Sequence, residues 1–167
     1  MKSIEDLAAD KIYELVNYLL AKKIKPDISL DSVRNLTEEQ IDLLKSKLGI
    51  EAVILDIDET VRKEMKAIPK CNEEWLDMLK SKLKVIVVSN GVDRGVEDFL
   101  KLKGIDYIGF AHKPLKKNFI KACEKLDVNP ENVLVIGDSL WSDIYGGKRN
   151  KMKTALVKRV EEDEVEK

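Results

Sequence analysis

The stretch Ala52-Val53-Ile54-Leu55-Asp56-Ile57-Asp58-Glu59-Thr60 decides how the rest of the chain is read. Four apolar residues in a row, without polar alternation, describe a strand covered on both faces, as in a parallel sheet. The sequence then turns abruptly acidic. Further apolar runs recur downstream at 85–88, 133–136 and, more weakly, 154–157, with a mixed run at 106–110. Between them lie helix-length segments with apolar faces at Trp75/Leu76/Leu79, Val92/Val96/Phe99/Leu100 and Phe119/Ile120/Cys123/Leu126, and a shorter one around Ile144. This alternation predicts an α/β fold built on a doubly wound parallel sheet. Asn72 reads as a helix cap, Gly104 as a helix stop, and Pro114 and Pro130 as turns.

Upstream, Ile4, Leu7, Ala8, Ile12, Leu15, Val16 and Leu19 recur at three- and four-residue steps and predict a helix over 3–21. Ser3 is suited to cap it, and Lys22, Lys23 and Lys25 complement the dipole at its other end, before Pro26. Thr37 and Gln40 have capping-box spacing, so a second helix runs from there to Gly49. The chain thus divides into an N-terminal helical extension packed on the core (1–49), the core itself (50–160) and a frayed acidic tail (161–167). The stretch 25–29 is the only linker-like segment.

Composition narrows the function. Of 167 residues, 30 are Lys or Arg and 31 Asp or Glu, giving a net charge of −1. That balance argues against bulk binding to nucleic acid. Cys71 and Cys123 form no disulfide framework or zinc pattern, which points to a reduced, cytoplasmic compartment. The acidic N-terminus, with Glu5, Asp6 and Asp10, is neither a signal peptide nor a membrane span. His112 is the only histidine, which argues against His-based triads and multi-histidine metal sites.

The residues just past each strand carry the chemistry. The run at 52–55 leads into Asp56-Ile57-Asp58-Glu59-Thr60, that at 85–88 into Ser89-Asn90-Gly91, that at 106–110 into His112-Lys113-Pro114, and that at 133–136 into Gly137-Asp138 and on to Asp143. In a doubly wound sheet, ligands bind outside the carboxyl ends of the strands, so these clusters meet in one crevice. Crowded carboxylates require a cation, and hard oxygen donors without Cys or His select Mg²⁺. Such an ion keeps open positions for phosphate oxygens, with a lysine and backbone amides to neutralise the remaining charge. A carboxylate beside phosphorus can attack it, and a second Asp two residues on can protonate the leaving oxygen.

These residues resemble the haloacid dehalogenase (HAD) superfamily: Asp56-Ile57-Asp58-Glu59-Thr60 looks like its first motif, and Ser89, Lys113 and Gly137-Asp138…Asp143 fall in order as the second to fourth. The resemblance covers about residues 50 to 158. It implies a HAD-type Rossmann-like core, with Asp56 as nucleophile and Mg²⁺ ligand. Asp58 would be the general acid and then base, lending the metal its backbone carbonyl. Ser89 would bind a phosphoryl oxygen, Lys113 would hold the phosphate and Asp56, Asp138 would ligate Mg²⁺, and Asp143 would support Asp138 or a metal-bound water. An Asp at position 58 implies a phosphatase rather than a dehalogenase. Within subfamily IIIA the chain is similar to the YqeG-like branch, which includes phosphatidylglycerophosphate phosphatases. The shared features are Lys25-Pro26-Asp27, Lys113-Pro114 and Gly137-Asp138…Ser142-Asp143…Gly146-Gly147-Lys148-Arg149. Glu59, Gly91 and Ser142 depart from the branch's usual residues.

The gaps between the first three motifs each hold one helix and one strand, so no cap domain fits and the fold is read as capless. An uncovered site suits a phosphate displayed on something large: a lipid headgroup, a protein or a nucleic-acid end. Nucleic acid is disfavoured by the charge. The N-terminal helix and its lysines are compatible with docking on the core, with a second copy of the chain, or with peripheral membrane contact. The rival class is a non-enzymatic receiver-like module, whose mark would be a long-lived phospho-Asp56.

For each residue a plainer role stands beside the catalytic one. Asp56 and Asp138 sit where strand-end turns favour Asp. Ser89 is suited to cap the next helix, and Lys113, beside Lys116 and Lys117, to lie in solvent. Asn90 and Thr60 are as suited to turn stabilisation as to binding substrate or orienting Asp58. His112 shapes its loop, Trp141 packs, Cys71 is a loop thiol and Cys123 a core residue.

Overall fold

Residues 4–160 are described by the structure, a computed structural model of the chain. Ser3 and the acidic tail lie outside the described residues. Six parallel strands form one sheet: β1 (Ile28–Leu30), β2 (Ala52–Leu55), β3 (Lys84–Val88), β4 (Asp106–Ile108), β5 (Val133–Gly137) and β6 (Lys153–Val157), in the order β1-β6-β5-β2-β3-β4. Around them run α1 (Ile4–Ala21), α2 (Glu38–Leu48), α3 (Lys70–Lys82), α4 (Arg94–Leu102), α5 (Lys116–Leu126) and the short α6 (Gly146–Arg149).

The unbroken apolar runs are explained by burial on both faces. On β2, Val53 and Leu55 pack with Ile41, Trp75, Leu76, Leu79, Val96 and Leu100 of α2, α3 and α4. Ala52 and Ile54 point the other way, to Phe119, Ala122 and Cys123 of α5. Successive side chains of a strand alternate between faces. Each buried side chain of this size contributes about 1.5–3 kcal/mol, so the central strand is the one least free to shift register. The doubly wound α/β reading is therefore correct. The chain runs outward from β2 to β3 and β4, then crosses back to β5 on the other side. The switch point between β2 and β5 is where a crevice opens at the carboxyl edge.

The stretch read as a linker runs into β1, a three-residue edge strand paired with β6. Asp27 explains why the pairing starts there. Its carboxylate accepts from the Thr154 N–H at 2.8 Å, while its own N–H donates to Thr154 O at 3.0 Å. Burial acts to raise the Asp27 pKa, but Lys148 at 2.9 Å and the Thr154 donors outweigh it and hold it below the usual value.

Local chemistry sets the helix ends. Thr37 and Gln40 form the expected capping box, and Gly49, with φ +66°, closes α2; such a cap is worth about 1 kcal/mol. Ser89 does not cap the helix after β3, because Asp93 takes that role, accepting from the Val96 N–H at 3.1 Å. Val92 consequently falls outside the helix. Asn72 and Cys71 lie inside α3, not at a cap or in a loop, and the Asn72 amide donates to Val61 O at 2.6 Å. The run at 106–110 pairs only as far as Ile108. Gly109 then packs so tightly that a Cβ would come within 2.8 Å of Val92, and Phe110 turns away with positive φ.

The α1 residues Ile12, Leu15 and Leu19 are 63%, 57% and 53% exposed, whereas Val16 on the same helix is half-buried. The helix approaches the turn after β5, where the Tyr13 hydroxyl and Ser139 Oγ lie 2.9 Å apart. Among the described residues no helix is long and apolar enough to cross a membrane.

Candidate active site

The ends of β2, β3 and β5, and the loop after β4, deliver the anticipated residues to one rim. Asp56 directly follows β2, with its N–H donating to Ile136 O at 2.9 Å, so the chain is still held in the sheet at the point where the carboxylate projects. Lys113 Nζ bridges two carboxylates, Asp56 Oδ1 at 2.7 Å and Asp143 Oδ1 at 2.6 Å. Its side chain is 3% exposed, whereas the neighbouring Lys116 and Lys117 are exposed. Buried between two carboxylates, Lys113 is therefore not a solvated lysine. Asn90 fixes its backbone, accepting from the Lys113 N–H at 2.6 Å and donating to Lys113 O at 3.4 Å.

Asp143 reaches the site through the geometry of its turn. Residues Leu140–Tyr145 form a wide π-helical turn in which Ser139 O accepts from both the Asp143 and Ile144 N–H groups. Such turns recur at functional sites. Here the turn folds the Asp143 side chain back onto Lys113 and the Ser139 N–H, the latter at 3.1 Å. Gly137 makes this possible, since a Cβ there would stand 2.2 Å from the Asp143 carboxyl. Trp141 stacks on Tyr145 and does not enter the cluster. Thr60 Oγ1 lies 3.0 Å from Asp56 Oδ2 and 3.4 Å from Asp138 Oδ1, linking the two carboxylates.

Carboxylate oxygens of Asp56, Asp138 and Asp143 lie within 4.8 Å of one another. The donor set is all hard oxygen, and it fits Mg²⁺. Asp58 is not in this cluster: its Oδ1 accepts from Arg62 Nε at 2.8 Å. Ser89, 3% exposed at the end of β3, accepts the Gly91 N–H and keeps its own hydroxyl hydrogen to donate.

Crowding shows in the acidities. Burial first, and the Asp56 charge second, push the Asp138 carboxyl up to about 6 against the pull of Arg159. Asp143 is also raised, by burial first, with Asp56 and Asp138 adding and Lys113 opposing. Burial acts to lower Lys113, but Asp143 and Asp56 outweigh it and hold the ammonium charged. Burial raises Asp58 against the opposing charge of Arg62.

Raised carboxyls mean that the folded protein binds protons the unfolded chain has released. Their contribution is fully present below about pH 4 and is lost as the pH rises through about 6. Asp27 and Asp93, held low, contribute stability that is fully present throughout that window and is lost only at lower pH, so they do not shape the profile there. In EDTA the melting temperature should therefore fall between about pH 5 and about pH 7.5, and Mg²⁺ should recover it at the upper pH. A flat or rising profile in EDTA would show that the carboxyls are not crowded.

Sequence reasoning missed three residues here. Arg62, 4% exposed, binds Asp58, Asp93 Oδ2 at 2.8 Å and Lys66 O at 3.0 Å, tying the loop after β2 to the cap of α4. Its spacing from Asp58 carries meaning on a helix, but this segment is not one. Tyr13 reaches Ser139 from the other end of the chain, with no local signal. Arg159 Nε donates to Asp138 Oδ2 at 2.9 Å. It sits two residues past the run at 154–157, and that strand-end position, shared with the other site residues, is the signal that could have found it.

A haloacid dehalogenase-like hydrolase family model matches residues 4–150. Among curated proteins, the chain is 31% identical to the probable phosphatase YqeG of Bacillus subtilis over 141 residues, covering 83% of this chain and 80% of that protein. It is 40% identical over 63 residues to the glyceraldehyde 3-phosphate phosphatase of Pyrococcus furiosus, spanning 38% of this chain and about a quarter (26%) of that protein. Two solved structures share the fold. One is a hypothetical protein from Xanthomonas campestris (TM-score 0.56, 17% identity, covering 74% of this chain and 72% of that one). The other is a HAD-like family hydrolase from Porphyromonas gingivalis (0.55, 12% identity, 68% and 93%). With the family model, the YqeG similarity and the strand-end motifs in agreement, the chain belongs to the haloacid dehalogenase-like hydrolases, on their YqeG-like branch.

Proposed function

We propose that this hydrolase is a Mg²⁺-dependent phosphatase that cleaves phosphomonoesters through a phospho-Asp56 intermediate. Its substrate is a phosphate displayed on a lipid headgroup, such as phosphatidylglycerophosphate. The observation that carries the chemistry is the convergence of Asp56, Asp138, Asp143 and Lys113 at the rim of one sheet. Mg²⁺, held by Asp56, Asp138 and the backbone carbonyl of Asp58 with Asp143 in support, would supply charge neutralisation at the phosphoryl oxygens.

The chain's own groups perform the rest. The Asp56 carboxylate attacks phosphorus, and the bond to the leaving oxygen breaks as Asp58 delivers a proton to it. Arg62 occupies Asp58 Oδ1, so Oδ2 is the oxygen that carries this proton. Asp58, now a carboxylate, takes a proton from water as that water attacks the phosphoryl group. The P–O bond to Asp56 breaks, releasing inorganic phosphate and restoring the carboxylate. Lys113 and the Ser89 hydroxyl bind phosphoryl oxygens and offset their growing charge.

The lipid assignment is supported by the YqeG-like resemblance, by a sheet edge with no inserted cap, and by the exposed Ile12, Leu15 and Leu19 near Lys22, Lys23 and Lys25. Protein phosphates are the alternative, with nucleic-acid phosphates disfavoured by the net charge. The purified protein should hydrolyse an aryl phosphate with Mg²⁺, lose at least about 100-fold of that rate in EDTA, and regain it with excess Mg²⁺. A rate untouched by EDTA would overturn the metal dependence. A screen of lipid, nucleotide, sugar and phosphopeptide phosphates, with the highest kcat/KM falling outside the lipids, would overturn the substrate.

A further inference from the structure

Arg159 lies just past β6, at the same carboxyl edge as the other site residues. Its side chain is 63% exposed and is held to Asp138 through Nε alone. Among the described residues its two terminal amino groups meet no acceptor within hydrogen-bond distance, so the fork that recognises carboxylates and phosphates in two-point fashion is available. Beside it lies an open cleft of about 420 Å³, lined by Ser29, Leu30, Asp31, Asp138 and Arg159 among others. Asp138 is a wall shared by this cleft and the carboxylate cluster. Tyr13 approaches from α1, its hydroxyl bonded to Ser139 in the turn after Asp138.

Two cations compete for one carboxylate. A guanidinium on a single hydrogen bond satisfies Asp138 while the cluster holds no metal. A divalent ion bound to Asp138 would weaken that pull and free the guanidinium for the adjoining cleft. We propose that this cleft is the leaving-group subsite of the phosphatase, and that Arg159 selects phosphomonoesters carrying a second anionic group near the scissile phosphate. This rests on the phosphatase reading above. Ser29 and Asp31 suit hydroxyls on the same leaving group, and Lys158 also lines the cleft. A carboxylate on a free metabolite and a phosphodiester in a lipid headgroup present the same chemistry.

The test compares kcat/KM within two substrate pairs: 3-phosphoglycerate against glycerol 3-phosphate in solution, and phosphatidylglycerophosphate against phosphatidic acid in phosphatidylcholine vesicles. In the pair the enzyme turns over, the wild type should prefer the member with the second anion. Arg159→Met should cut that preference at least about tenfold, mainly through KM, and Arg159→Lys should cut it less, since it keeps the charge and loses the fork. The pair that shows the effect identifies the source of the anion. Calorimetric titration of Mg²⁺ into metal-free protein should give tighter binding for Arg159→Met, because no resident cation has to leave. The subsite is overturned by a wild type without the preference, by a variant ratio within twofold of wild type, or by unchanged Mg²⁺ affinity. A wild type that hydrolyses no phosphomonoester instead overturns the phosphatase reading itself.

Discussion

Asp56→Asn is expected to lower Mg²⁺-dependent hydrolysis of an aryl phosphate by on the order of 10⁴-fold or more, because it removes the attacking group of the proposed mechanism. The fold should survive. Asparagine matches aspartate in shape: its amide oxygen can still accept from Lys113 while its NH2 donates to Thr60 Oγ1, and Lys113 also retains Asp143 at 2.6 Å. Electrostatics even favour the variant in one respect. The Asp56 charge helps raise the carboxyls of Asp138 and Asp143, so removing it relieves the cluster in the metal-free state. The melting temperature in EDTA should therefore not fall, while turnover vanishes. Steady-state kinetics and a thermal melt on the same preparation check both halves. Full activity in Asp56→Asn would end the phospho-Asp56 mechanism.

Asp58→Asn should be nearly as damaging but should fail at a different point. General acid–base catalysis is worth roughly 10²–10⁴-fold per proton transfer, and the proposed mechanism uses Asp58 in both steps. An alkyl phosphate, whose leaving alkoxide needs the proton, should lose both steps. An aryl phosphate, whose phenolate leaves unaided, should still phosphorylate Asp56 and then stall. The expected record is a burst of phenol close to one equivalent of enzyme, followed by slow release, with phosphate retained on the protein. Arg62 keeps its bond to the residue 58 oxygen and its bridge to Asp93, so the loop stays in place. Steady alkyl-phosphate turnover at the wild-type rate would remove Asp58 from the chemistry. A phospho-Asp56 that persists in the wild type itself would instead mark the receiver-like rival.

Much of this was legible in the chain. Strands buried on both faces must be unbroken apolar runs, and the edge where parallel strands end is the same edge for all of them. The residues at 52–60, 85–91 and 133–143 therefore announced both the sheet and the groups at its rim. The capping box at Thr37 and Gln40 was equally local. The one strand left unread, β1, has three residues and no pattern of its own, and it is held by Asp27 to Thr154, far along the chain.

What the sequence determined by itself was the alternation of elements and the order of the acidic motifs, because a strand's burial and a helix's cap are written in neighbouring residues. Only the tertiary structure decided which lysine of a lysine-rich loop is buried between two carboxylates, that Asp143 joins the cluster while Asp58 turns to Arg62, and that Tyr13 and Arg159 close in on the turn after β5. Those pairings join residues from distant parts of the chain or from irregular loops. No periodicity relates such partners, and their energies exist only once the sheet has brought them within hydrogen-bond reach.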